Sequence, residues 1–159
     1  MHQFFKNRVW IYLIAALIAL TAVSLIAKDN DEDLKDMGIP DVVYVGTPYD
    51  VASEMLRMAQ VKKDDLVVDL GCGDARMLVL AAQKYGSRGI GYDIDPDMVR
   101  ASRINAQKNN VADLVTIIQA DIFTVDISQA DVLPIYLLPE MNLRLVPQLE
   151  TLKPGSRLV

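Results

Sequence analysis

Nineteen consecutive residues near the start of the chain, Val9 to Ala27, carry no charge; after them, apolar and polar positions come in short, regular blocks. The long block is apolar on every face of a helix, unlike the one-sided stripe of a core helix. At 1.5 Å per residue it would run about 28 Å, the thickness of bilayer hydrocarbon. Trp10 and Tyr12 lie at one end, where interfacial aromatics belong. Lys6 and Arg8 precede it, and Lys28 and the acids from Asp29 to Asp36 follow. The expectation is a tail over residues 1–8, a single transmembrane helix over 9–27 and an extended acidic linker over 28–41, broken by Gly38 and Pro40. A cleaved signal peptide is the competing reading, with Ala22-x-Ser24 as a tolerable cleavage pattern, but its apolar core is usually about 7–15 residues.

From Val42 the blocks alternate between strand and helix. Thr47-Pro48-Tyr49-Asp50 predicts an N-cap, a proline at the first helical position and an acid in the first turn, with Val51, Met55, Met58 and Ala59 following at helical spacing. A continuous apolar run begins at Leu66 and a second, Gly89-Ile-Gly-Tyr, ends in Asp93; Leu114 to Asp121 and Val132 to Leu137 read as a third and a fourth strand. Helices are predicted over Ala75–Tyr85 (closed by Gly86), Asp97–Asn109 (opened by Asp95-Pro96) and Met141–Leu152, and Arg157-Leu-Val159 opens a fifth strand. Strands alternating with helices imply an α/β fold, a doubly wound and mainly parallel sheet in one domain over 42–159. The given sequence stops inside the fifth strand, leaving an apolar strand at the sheet edge unless a partner covers it.

The candidate chemistry sits at the strand ends. Leu66-Val-Val-Asp69-Leu-Gly71-Cys-Gly73-Asp-Ala75-Arg76 is a buried strand that turns sharply into a helix, with bare backbone where a ligand can approach. Twenty residues beyond Gly73, Asp93 ends the next strand, where a carboxylate is placed to accept from two ribose hydroxyls. A dinucleotide site calls for G-x-G-x-x-G and a helix N-terminus open to pyrophosphate, yet Arg76 takes the place of the third glycine and Asp69 would repel the phosphates. That disfavours a nicotinamide-dependent oxidoreductase. An acid before the turn suits a cofactor with an ammonium and a sulfonium, and S-adenosylmethionine has both.

On these residues the segment resembles motif I of the class I S-adenosylmethionine-dependent methyltransferases, with Ala75 where many members have glycine. The resemblance implies a Rossmann-like methyltransferase sheet with S-adenosyl-L-methionine as cofactor. It implies a ribose site at Asp93 with Ile94 beside it, an adenine amino group held by Asp121, and the ring met by the amide of Ile122. Tyr-Leu-Leu-Pro-Glu-Met-Asn over 136–142, with Val45-Gly-Thr47-Pro48 upstream and Leu-Lys-Pro-Gly over 152–155, is similar to a narrower group: the membrane-anchored protein lysine N-methyltransferases that modify the ATP-synthase c subunit and the ADP/ATP carrier, and their bacterial relatives. That likeness implies a protein lysine as methyl acceptor, in or near a membrane. It implies that Tyr136 orients the amine and Glu140 accepts its proton, and that Tyr44 and Thr47 close over the cofactor. Tyr136 as a core aromatic and Glu140 as a helix-dipole charge are the plainer alternatives.

Charge and composition narrow the field. A net charge of −5 and the lack of a basic run disfavour nucleic acid as partner. The single cysteine, Cys72, rules out a disulfide within the chain, and the single histidine, His2, leaves no cluster of metal ligands. The Asn/Asp-Pro-Pro-aromatic run typical of nucleobase and glutamine N-methyltransferases is missing after the fourth strand, which argues against those acceptors. Lys6 and Arg8 ahead of the span favour export of the domain, whereas the cofactor is kept inside the cell or the mitochondrial matrix; the expectation follows the cofactor, with the domain on the cytoplasmic or matrix face. Two alternatives stay open: a non-catalytic, membrane-anchored methyltransferase-like binding protein, and a small-molecule methyltransferase.

Overall fold

The computed structural model describes residues 45–159. They belong to the second of two units into which the chain divides, Pro40–Val159. The expected tail, transmembrane helix and linker, and Tyr44, lie outside the described residues. Among the described residues no helix is long and apolar enough to cross a membrane.

The sheet has five strands, β1 (Leu66–Leu70), β2 (Arg88–Asp93), β3 (Val115–Gln119), β4 (Val132–Leu133) and β5 (Arg157–Leu158), in the order β3-β2-β1-β4-β5. Every neighbouring pair is parallel, and β1 sits at the centre. Its pairing with β2 runs in register from Leu66↔Arg88 to Leu70↔Tyr92. Parallel strands need crossovers, and four helices supply packing for both faces: α1 (Tyr49–Met58), α2 (Arg76–Tyr85), α3 (Pro96–Lys108) and α4 (Pro139–Leu149).

Successive strand residues point to opposite faces, and the core divides accordingly. Val67 and Val132 join Leu56 of α1, Leu78 of α2 and Val99 of α3 in one buried cluster. Val68, Leu70 and Leu133 join Leu145 of α4, with Ile122 and Ile127, in the other. This is the doubly wound arrangement that the alternation of blocks predicts. It aligns the carboxyl ends of β1, β2 and β3 along one rim.

Several element ends differ from expectation. β4 is two residues long rather than Val132–Leu137, because Pro134 has no N–H to continue the ladder; beyond it, Ile135 N still donates to Val159 O at 2.8 Å. α4 begins at Pro139 and ends at Leu149 instead of running from Met141 to Leu152, with the proline in the first turn where its missing donor costs nothing. Thr47 does not cap α1: Pro48 occupies the cap position with no side-chain bond, and the helix starts at Tyr49. By contrast α3 is capped as its Asp95-Pro96 start predicts, Asp95 accepting from Asp97 N at 2.8 Å.

α2 packs directly on β2, which carries glycine where the helix crosses it. A Cβ on Gly91 would stand 2.8 Å from Cys72 Sγ and 2.9 Å from Leu78 Cδ1, and both of those residues are buried. Gly91→Ala should therefore cost about 1–3 kcal/mol through overpacking, read as a lower midpoint in urea denaturation; an unchanged midpoint would show that Leu78 and Cys72 yield freely.

Candidate active site

The loop between β1 and α2 is shaped by three residues with positive φ: Gly71 at 71°, Gly73 at 52° and Ala75 at 59°. Glycine takes that conformation freely, while alanine gives up about 1 kcal/mol or more. The loop is fastened to the end of β2. Gly71 N and Cys72 N both donate to Tyr92 O at 2.9 Å, and Gly73 N donates to Asp93 Oδ2 at 2.8 Å. Asp93 is itself buried, and its other oxygen accepts from Asp95 N at 3.0 Å. β3 joins the rim through Ala120 N, which donates to Asp93 O at 3.0 Å.

A cleft opens where the loop meets the ends of β1 and β4. Its walls include Val45, Thr47, Asp69, Gly71, Cys72, Arg76 and Tyr136. Asp69 lies here, and burial, then the nearby charges of Asp93 and Asp74, push its carboxyl up from 3.8 to about 7. Burial likewise pushes the Cys72 thiol far up, so it is an inert loop residue rather than a nucleophile. Leu137 reaches across from β4's end to the loop, its Cδ2 standing 3.2 Å from where a Gly71 Cβ would be.

The residues expected from sequence are distributed unevenly around this rim. Thr47, Asp69, Gly71 and Tyr136 share the cleft, and Tyr136 is 52% exposed there. Gly73 and Asp93 are joined by a hydrogen bond beside it. Ile94 follows on the rim, its carbonyl accepting from Gln119 Nε2 at 3.3 Å. Asp121 is exposed just beyond β3 and accepts from Phe123 N at 2.9 Å, while Ile122 is buried. Glu140 is exposed in the first turn of α4 and is not among the residues that line the cleft. Among the described residues there is no group of acids, cysteines or histidines able to hold a metal ion.

Arg76 is the residue that sequence reading undervalued, treating it only as an obstacle to pyrophosphate. Its Nε and Nη2 donate to the two carboxylate oxygens of Asp74, both at 2.9 Å, and Nη1 donates to Thr47 O at 3.0 Å. Its guanidinium also lies 4.9 Å from the centre of the Tyr49 ring. The upstream segment is thereby tied to the loop. Asp74-x-Arg76 spacing was the available signal, since an acid two residues before an arginine invites such a fork.

The donor and acceptor set suits an adenosyl amino acid: a buried carboxylate at the end of β2, Asp93, a second carboxyl poised between charge states at Asp69, and a loop whose glycines leave room for close approach. The Asp69 carboxyl holds its proton more tightly folded than unfolded. Its contribution to stability is therefore full below about pH 4 and is lost as pH rises through 7, by about 4 kcal/mol in all. Wild type should lose urea midpoint steadily from pH 4 to pH 8 relative to Asp69→Asn, which cannot ionise; parallel profiles would mean that Asp69 stays charged.

Comparison with known proteins agrees with this geometry. The model of the ANTKMT methyltransferase domain matches residues 69–159. A protein-lysine N-methyltransferase of Saccharolobus islandicus is 42% identical over 123 residues, which make up 76% of each chain. The ATP synthase c-subunit lysine N-methyltransferase of Xenopus laevis is 28% identical over 158 residues, covering 97% of this chain and 68% of its own. The crystal structure of an RNA methyltransferase from Salinibacter ruber in complex with S-adenosyl-L-homocysteine aligns with a TM-score of 0.70 at 47% identity, over 72% of this chain and 75% of its own. With its loop, its acid-tipped strands and these relatives, the chain belongs to the ANTKMT methyltransferase domain family and is an S-adenosylmethionine-dependent methyltransferase.

Proposed function

We propose that this methyltransferase acts on the side-chain amine of a protein lysine. The observation that carries the reading is the 42% identity, over three quarters of both chains, to the protein-lysine N-methyltransferase of Saccharolobus islandicus. When bound, the cofactor supplies a methyl group already activated by its sulfonium. What remains for the chain is to position the acceptor and remove a proton.

Asp93 holds the ribose hydroxyls, Asp121 takes the adenine amino group and the Ile122 amide meets the ring, with Ile94 lying alongside. Gly71 and Gly73 let the backbone approach, Asp69 faces the ammonium, and Thr47, with Tyr44 before it, covers the methionine end. Tyr136, exposed in the cleft wall, orients the lysine amine. Glu140, in the first turn of α4, accepts its proton once substrate covers that surface.

A membrane setting belongs to the same proposal. The uncharged run over 9–27 has the length of a bilayer span, and the likeness to the Xenopus enzyme extends over 97% of this chain. With the domain on the cytoplasmic or matrix face, where the cofactor is kept, tethering would let it meet a membrane-embedded substrate at high effective concentration. The Salinibacter relative favours a second reading, an RNA acceptor. The net charge of −5 weighs against it, since phosphate backbones are met by Lys and Arg.

Calorimetry with S-adenosylmethionine and S-adenosylhomocysteine should show micromolar binding, weakened at least tenfold by Asp93→Ala; folded protein that binds neither compound would end the cofactor assignment. With labelled cofactor and membrane extracts, label should appear in methyl-lysine after acid hydrolysis. Label released by ribonuclease instead would favour the RNA reading. Tyr136→Phe and Glu140→Gln should each lower kcat at least tenfold with cofactor affinity unchanged. Effects within twofold would reduce Tyr136 to packing and Glu140 to a helix-end charge.

A further inference from the structure

The bonds from β2 hold the first half of the glycine loop, through the amides of Gly71, Cys72 and Gly73. The second half, where alanine rather than glycine takes the left-handed conformation, is held from elsewhere. The peptide between Asp74 and Ala75 is fixed at both ends. Its N–H, on Ala75, donates to Cys72 O at 2.7 Å. Its carbonyl, on Asp74, accepts from Asn105 Nδ2 at 2.8 Å, a bond that comes from α3 across 31 residues of sequence. Asn105 is partly buried and is not among the residues that line the cleft. Its amide is itself oriented. Asn109 Nδ2 donates both to Asn105 O and to Asn105 Oδ1, each at 2.9 Å, and Asn109 Oδ1 accepts from Gln83 Nε2 of α2 at 3.1 Å. A backbone carbonyl can only accept, so the Asn109 nitrogen is the end that faces Asn105. The Asn105 oxygen is thereby taken, and its nitrogen is turned to the loop.

We propose that Asn105 is a positioning residue for cofactor binding: from outside the cleft it fixes the Asp74–Ala75 peptide, and so keeps an alanine in the left-handed conformation that the loop requires. The inference rests on the cofactor assignment above and extends it to a residue of another helix. Left-handed alanine is disfavoured by about as much as one neutral hydrogen bond contributes net. A single bond at this peptide is therefore enough to decide which way it turns. Without the bond, Asp74 O loses its donor from α3 and Ala75 is released toward conformations that side chains prefer. The share of molecules with a binding-competent loop then falls, and apparent affinity falls with it. Glycine takes the left-handed conformation freely. The need for Asn105 is accordingly tied to the alanine at position 75, and that link separates positioning from general packing.

A double-mutant cycle read by calorimetry with S-adenosylhomocysteine on the full chain tests this link. Asn105→Leu, close in size but without the donor, should weaken binding at least fivefold. Ala75→Gly alone should stay within twofold of wild type. Asn105→Leu combined with Ala75→Gly should bind at least threefold more tightly than Asn105→Leu alone, a rescue that lost packing at α3 would not give. A loss below fivefold in folded Asn105→Leu, or a rescue below threefold, overturns the proposal. Should Asn105→Leu not fold, Asn109→Ala takes its place, since it removes the donor that orients the Asn105 amide. It should weaken binding at least twofold, and Ala75→Gly should abolish that loss; a smaller effect, or one that persists with glycine at position 75, overturns the proposal. Wild type that binds S-adenosylhomocysteine while these variants match it defeats the role of Asn105 and spares the cofactor assignment. Folded wild type that binds no S-adenosylhomocysteine defeats both.

Discussion

The bond from Gly73 N–H to the Asp93 carboxylate is the constraint around which the rest of the site is arranged. A loop of left-handed residues has no helical or ladder partners of its own, so its buried amides need acceptors from elsewhere. β2 supplies them, through the Tyr92 carbonyl and the Asp93 side chain. On the proposed reading the same side chain that locks the loop also meets the ribose, so folding and recognition would draw on one carboxylate. Parallel pairing of β1 with β2 is what brings the two ends level.

Electrostatics reinforce that geometry. Asp74 and Asp93 lie close to Asp69, and burial denies the Asp69 carboxyl the solvent that would screen their repulsion. Asp69 answers by holding its proton to about neutrality, and Asp74 by pairing with Arg76. Asp69 is therefore poised rather than fully charged, and a cationic ligand group would restore the charge that burial suppresses. A methyl donor with a sulfonium and an ammonium is a natural partner for such a site.

Much of this was legible in the sequence, for a physical reason. Strands buried on both faces read as unbroken apolar runs, and an acid or glycine ends them where the chain leaves the core, as at Asp69-Leu-Gly71 and Asp93. Asp95-Pro96 announced its helix because capping is local chemistry. What escaped was decided by neighbours distant in sequence. Val132 to Leu137 has the composition of a strand, but Pro134 ends its ladder after two residues. Thr47 has the side chain of a cap, yet its carbonyl serves Arg76, 29 residues later. The reach of Arg76 to Thr47 and Tyr49 depends on how α1 and α2 lie together, which no local pattern encodes.

Ala75 draws a different consequence. It is fully buried with φ at 59°, and its methyl group packs in the core. The strain of about 1 kcal/mol from that conformation is close to the roughly 0.8 kcal/mol gained by burying one methyl. Alanine and glycine are thus nearly interchangeable in free energy at this position, and drift between them is close to neutral. A pattern that demands glycine there would pass over chains like this one, although their backbone follows the same path.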